Sequence, residues 1–216
     1  MAAPERVATP RHKVFGVGFH KTATTSLRDA LRILGYRVDG PNFLRKDDIA
    51  ETYVERCRDY SRRYDAFQDN PWPLVYREMD DLWPGAKFIL TIRDVDAWLT
   101  SAIAHFSARK PTPMLRLIYG SDYDGVAGNG DRLASVYTRH NEEVRAYFAD
   151  RPNDFLELDF TKASGWGPLC AFLGVEEPAV PLPHSNTAQD RERNQRQRGL
   201  LDRIKQRSKR ISRSLN

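Results

Sequence analysis

KVFGVGFHKTATTSLRDAL, residues 13–31, reads as a strand that turns into a helix. A short apolar run, Val14 to Val17, leads into a turn holding Gly16, Gly18 and Lys21, followed by Thr22, Ala23, Thr24 and Thr25. Apolar residues then recur at helical spacing through Leu27, Ala30, Leu31 and Leu34. A strand that passes through glycine into a helix N-terminus makes an anion site, because the first four helical N–H groups lack intrahelical partners and point at the ligand. One terminus contributes only about 0.3–1 kcal/mol to holding an exposed anion, so tight binding of phosphate or sulfate needs further donors. Lys21, Thr24, Thr25 and Ser26 are placed to supply them. The competing reading is an ordinary strand–turn–helix unit in which Thr24 or Ser26 caps the helix.

The turn differs from a Walker A loop, G-x-x-x-x-G-K-[ST], which requires glycine before the lysine. That position is His20, and the interval from Gly16 to Lys21 is one residue short.

The 216 residues, 40% of them hydrophobic, suit one α/β domain with a sizeable core. Two cysteines, Cys57 and Cys170, are too few and too far apart for a disulfide framework or a zinc site. No stretch approaches 18 consecutive apolar residues, which argues against a membrane span. The polar first twelve residues lack a signal-peptide core, so the expected compartment is cytoplasmic. Residues 1–12 read as a flexible N-terminus, 13–187 as the α/β domain and 188–216 as a basic helical tail. Residues 191–216 carry ten Lys/Arg and two Asp/Glu, a net of +8 within a total of +5, which leaves residues 1–190 at −3. The body is mildly acidic, so the positive total gives no reason to expect a nucleic-acid partner.

Strand-like runs occur at 13–18, 65–69, 86–92 and 154–158, with helical patterns at 24–35, 48–60, 72–82, 95–108, 131–149 and 166–173. This alternation predicts a three-layer α/β fold, a mostly parallel sheet flanked by helices on both faces. Sites in such folds lie beyond the carboxyl ends of the strands. Residues 109–130, rich in proline and glycine, interrupt the pattern as a long excursion, either a binding element or a disordered insertion.

A second anion signal lies in FILTIRDVDAWLTSAIAHF, residues 88–106. Arg93 ends a buried-type strand, and Ser101 follows eight residues later on the next helix. A guanidinium and a hydroxyl so placed can converge on one phosphate, since the planar fork of arginine binds oxyanions bidentately. Alone, the pair also reads as a surface Arg93–Asp94 ion pair and a serine bonding its own helix. Two anion signals at strand ends together call for a ligand with two separated anionic groups.

GFHKTATTSL (18–27) followed by FILTIRDVDAWLTS (88–101) resembles the sulfotransferases that use 3′-phosphoadenosine 5′-phosphosulfate (PAPS). YTRHNEEVRAYF (137–148), LELDFTKASGWGPLCAFLG (156–174) and PLPHSN (181–186) are similar to a bacterial-type branch of that family. The resemblance implies a P-loop NTPase-like fold, PAPS as donor, its desulfated form PAP as product, and no metal. It implies that Lys21, Thr22, Thr24, Thr25 and Ser26, with N–H groups from Ala23 to Ser26, hold the 5′-phosphosulfate, and that Arg93 and Ser101 hold the 3′-phosphate. Ala23 departs from the glycine of many members and suits the loop only if its φ is negative. Leu27 departs from a tryptophan near the adenine. Arg198-Gly199 is a faint echo of a late Arg-Lys-Gly segment and carries no role.

Transfer to an alcohol needs charge stabilisation at the leaving oxygen, a role for Lys21 as a compact cation, and a general base. Asp69, at the end of a strand and before Asn70-Pro71-Trp72, is the first candidate, with a helix cap or turn aspartate as the alternative. Burial would have to raise its pKa. His20 is the second candidate, and His140 a weaker one on an apolar helix stripe. Trp72 is the tryptophan placed to touch substrate. A competing function is a P-loop kinase or NTPase using Mg-ATP, with Asp94 on a Walker B-like strand; a non-catalytic nucleotide-binding module is another. The acceptor is read only as a hydroxyl or amine compound, whether small molecule, carbohydrate or lipid. In the tail, Leu200, Leu201, Ile204, Ile211 and Leu215 recur at helical spacing, which suits a solvated helix, a homodimer contact or peripheral contact with an anionic membrane.

Overall fold

The computed structural model describes residues 12–162 and 165–184. The basic tail, 188–216, lies outside the described residues, as does the N-terminal segment except for His12. The described elements fall within one unit, Met1–Pro183. In chain order they are β1 (Val14–Gly16), α1 (Thr24–Ile33), β2 (Val38–Asp39), α2 (Ile49–Tyr60), β3 (Ala66–Phe67), α3 (Tyr76–Leu82), β4 (Lys87–Thr91), α4 (Val95–Phe106), α5 (Pro113–Tyr119), α6 (Gly130–Tyr147), β5 (Phe155–Leu158) and α7 (Gly167–Leu173).

The five strands form one parallel sheet in the order β2-β3-β1-β4-β5. β1 is central, with Val14 opposite Ala66 and Lys87, and Phe15 opposite Phe67 and Phe88. Successive strand residues face opposite sides, so the central strands β3, β1 and β4 are apolar on both. Val14 and Ile89 pack with Leu27, Ala30 and Leu31 of α1 and with Leu169 and Cys170 of α7. Phe15, Phe67, Phe88 and Leu90 pack on the other face with Cys57 of α2, Met79 of α3 and Val144 of α6. A third cluster joins Phe19 to Trp98, Met114, Tyr119, Leu133 and Tyr137.

The structure revises three expectations. β2, of only two residues, had no recognisable run. The helix expected over 72–82 is split into a 3-10 turn, Trp72–Leu74, and α3. The break falls at Val75, whose φ of −121° and ψ of 19° are not helical. The excursion 109–130 contains α5, started by Thr112, whose side chain accepts from the Leu115 N–H. Among the described residues no helix is long and apolar enough to cross a membrane.

The turn after β1 is pressed against the end of β4. The Val17 N–H donates to Ile89 O at 2.9 Å. A Cβ on Gly18 would lie 2.2 Å from both the carbonyl and the hydroxyl oxygens of Thr91. Backbone at that distance has to move. Gly18→Ala is therefore expected to lower stability at or beyond the upper end of the roughly 1–3 kcal/mol typical of overpacking. A urea unfolding midpoint equal to wild type would show that the contact yields freely.

Candidate active site

The two turn glycines are needed for closeness, not for left-handed backbone. At Gly16 a Cβ would meet Leu27 Cδ2 at 2.8 Å and Gln68 Cβ at 3.2 Å. The left-handed positions are Lys21 (φ 68°) and Ala23 (φ 69°). The expectation of a negative φ at Ala23 is thus wrong: the loop keeps a glycine-like turn with alanine in it, at a steric cost of about 1–2 kcal/mol. Between them the Thr22 hydroxyl donates to Phe19 O at 2.5 Å and lies 2.6 Å from Thr91 Oγ1. Its single proton is spent on Phe19, so Thr91 donates to Thr22. The side chain of Thr22 thus locks the loop to β4.

Ala23 occupies the N-cap of α1 and offers no side-chain acceptor, and the first turn contains no acidic residue. Thr24 does not cap the helix; its Oγ1 donates to Asp69 Oδ2 at 2.9 Å. The N-cap residue of α1 thus supplies no side-chain cap, which suits an anion site. Thr25 is half-buried on this turn and Ser26 buried.

Asp69 follows β3, in a left-handed conformation (φ 64°). Its Oδ1 accepts from the Asn70 N–H at 2.7 Å. Burial raises its pKa, opposed by the bonds from Asn70 and Thr24 and by the charge of Lys21. The structure thus brings Lys21, Thr24 and Asp69 together.

His20 is buried, with Nδ1 3.0 Å from Asn70 Nδ2 and Nε2 2.8 Å from the Tyr119 hydroxyl. An amide nitrogen only donates, so Nδ1 accepts and the proton sits on Nε2, donated to Tyr119. Burial, with His105 and Lys21 adding to it, lowers its pKa to about 3. His140 is likewise buried. Its Nε2 donates to Val17 O at 2.8 Å, its ring stacks on Phe19 at 4.0 Å, and burial lowers its pKa to about 4. Trp72 does not line a substrate site. It is fully buried, 4.0 Å from the Phe67 ring, and donates to Asn42 Oδ1 at 2.8 Å.

Arg93 stands two residues beyond β4. The Tyr137 hydroxyl accepts from its N–H at 2.9 Å and donates to its carbonyl at 2.8 Å. Arg93 Nε and Ser101 Oγ are both buried with no hydrogen-bond partner. Buried polar groups are nearly always paired, and a guanidinium N–H and a hydroxyl are both donors from which an oxyanion can accept. Asp94 caps α4, accepting from the Ala97 N–H at 3.0 Å, which accounts for the Walker B-like aspartate. A recess of about 290 Å³ lined by His12, Lys13, Asp65 and Trp83 lies at the amino ends of the strands. Lys13 there is engaged by the carbonyls of Ser61 and Tyr64.

Sequence reasoning missed Thr91, Tyr119 and Tyr137. Tyr137, with Val144 and Phe148, makes up the apolar stripe on which His140 is read, and a hydroxyl turned inward leaves no periodic trace. Residues 13–191 match the family model described as a sulfotransferase domain. No curated protein gives a significant match.

Two expectations come from this geometry. Ala23→Gly relieves the left-handed alanine but loosens the unfolded chain, for a net gain of about 0.5–1 kcal/mol; unchanged or lower stability in chemical unfolding would show that the loop bears no such strain. The two buried histidines have folded pKa values below the ordinary 6.5. The unfolded chain therefore takes up protons first, and their contribution is complete above about pH 6.5 and is lost as pH falls toward 4 and then 3. At pH 5 the loss is about 2 kcal/mol for each. Urea unfolding at pH 7.5 and 5.0 should show it, with roughly half removed in His140→Gln; an equal loss in that variant would clear His140 of the effect.

Proposed function

From the chain's membership of the sulfotransferase-domain family, which makes it an enzyme of sulfuryl transfer, we propose that PAPS is the donor and a hydroxyl or amine small molecule the acceptor. The observation that carries the reading is the pairing of a helix N-terminus after β1, whose N-cap residue Ala23 gives no side-chain cap, with the two orphaned polar groups, Arg93 Nε and Ser101 Oγ, after the adjacent β4. A nucleotide with anionic groups at both its 5′ and 3′ positions matches two such cradles.

On this reading the N–H groups from Ala23 to Ser26, with Lys21, Thr25 and Ser26, hold the 5′-phosphosulfate, and Arg93 and Ser101 hold the 3′-phosphate. Thr22 and Thr24 contribute through their backbones, because the Thr22 hydroxyl serves Phe19 and Thr91 and the Thr24 hydroxyl proton goes to Asp69. The acceptor oxygen or nitrogen forms a bond to sulfur as the bond from sulfur to the phosphate oxygen breaks, in line. Lys21 stabilises the charge that collects on the departing phosphate oxygen. The acceptor proton passes to Asp69, whose raised pKa makes it a better base than a free carboxylate. His20 is assigned to support, not base chemistry: both ring nitrogens are engaged, and its pKa of about 3 is too low to take a proton near neutrality. The sulfuryl group carries less negative charge than a γ-phosphoryl group, which lessens the call for a divalent metal, and we assign none.

The test combines thermal shift with PAP in the presence of EDTA and release of PAP from PAPS across a panel of hydroxyl and amine acceptors. PAP should stabilise the wild type. Lys21→Ala should lose at least about 100-fold in turnover and Asp69→Asn about 10²–10⁴-fold, both with the fold intact. Arg93→Ala should lose about 1.5–3 kcal/mol of PAP affinity. Lys21→Ala with most of its turnover, or stabilisation by Mg-ATP and not by PAP, would overturn the proposal.

A further inference from the structure

We infer that Trp98 and Tyr137 form a rigid spacer that sets the span between the two anion cradles, and so selects nucleotides anionic at both 3′ and 5′ positions. The inference rests on the two-cradle reading above and adds two positioning residues to it.

The indole Nε1–H of Trp98 donates to the carbonyl of His20 at 2.9 Å. That carbonyl belongs to the peptide leading into Lys21. The Trp98 ring stacks on Tyr137 with centroids 4.2 Å apart and an interplanar angle of 5°. The Tyr137 hydroxyl, in turn, holds both backbone polar groups of Arg93. One chain of contacts therefore runs from the first cradle to the second: His20 carbonyl, indole, phenol, Arg93 backbone. Both rings are fully buried, so neither swings without opening the core.

Arg93 lies past the last residue of β4, so the sheet no longer pairs its N–H and C=O. Buried backbone groups need partners, and a tyrosine hydroxyl can give one proton and accept another. With both backbone groups of Arg93 held, its Cα has a fixed height above the sheet, and the guanidinium starts from a fixed root. At the other end the indole N–H fixes the peptide that enters the left-handed Lys21. Neither ring touches the ligand directly on this account; they act through Arg93 and the loop. Pre-organised separation benefits only a ligand that engages both cradles at once.

The test is titration calorimetry with PAP and with adenosine 5′-monophosphate, which lacks the 3′ anion, on the full-length protein. Wild type should prefer PAP. Tyr137→Phe, which removes only the hydroxyl, should cut that preference about five- to tenfold, the size of one or two lost hydrogen bonds, and leave monophosphate affinity unchanged. A merely structural role would weaken both nucleotides alike. Tyr137→Phe combined with Arg93→Ala should be no worse than Arg93→Ala alone. A folded Tyr137→Phe that keeps the wild-type preference, while Arg93→Ala loses it, overturns the spacer. If Tyr137→Phe does not fold, Trp98→Phe decides: it removes the N–H to His20 and keeps the Tyr137 hydroxyl, and an unchanged preference there refutes the inference. Equal wild-type affinity for the two nucleotides would instead sink the two-cradle reading, and the spacer with it.

Discussion

The contact between Gly18 and Thr91 is the constraint on which the site depends. A parallel sheet only guarantees that the ends of β1 and β4 are neighbours. Bringing their loops into contact requires that nothing intervene, and Gly18 leaves no room for even one carbon. The bond from Thr91 to the Thr22 hydroxyl then fixes the loop laterally. From that point the chain enters α1, whose N-cap residue gives no side-chain cap, while beyond the end of β4 it continues two residues to Arg93. One anchored threonine thus ties a helix terminus and a guanidinium to the same frame.

That frame holds backbone strain. Of the non-glycine residues at positive φ among those described, Lys21, Ala23 and Asp69 belong to the candidate site and Phe43 is half-buried against the core. Each costs of order 1–3 kcal/mol, against a total folding stability of about 5–15 kcal/mol. Such conformations persist only where packing over-determines them. Here the surrounding structure supplies it: Leu27 and Gln68 close on Gly16, Trp98 fixes His20, and Asn70 and Thr24 fix Asp69. Strain concentrated at one strand-end cluster is how a fold pre-organises groups that isolated chain would not hold together.

How much of this was legible in sequence follows from periodicity. β1, β4 and β5 and most of the helices announced themselves because burial on one or both faces imposes a repeat. β2 escaped because two residues carry no period, and α5 because seven residues between prolines and glycines look like loop. The residues of the two proposed cradles are read from residue type: Lys21 with its hydroxyl run, and Arg93 eight residues before Ser101. Backbone conformation is not, and φ at Ala23 went the other way because the loop's hydrogen bonds outweigh the alanine penalty. Trp72 was misread because position after a strand end does not say which way a ring turns. Thr91, Tyr119 and Tyr137 were invisible for a related reason. Their importance lies in single inward-turned hydroxyls, and the pattern of apolar and polar positions averages these away.

Asp69 shows why those hydroxyls matter. Its carboxyl sits beside a helix N-terminus and Lys21, both of which favour its charge, and yet burial is the larger influence and pushes its pKa up. On the proposed reading a phosphosulfate arriving at α1 adds negative charge and displaces water, and both changes disfavour the carboxylate further. The bonds from Thr24 and Asn70 counter this by holding the carboxylate form, and each carboxyl oxygen still keeps a lone pair for an acceptor proton. A base poised this way is strengthened by the donor it serves. Thr24 links the two directly, since it stands on the helix that would hold the sulfate and donates to the carboxylate that would take the proton.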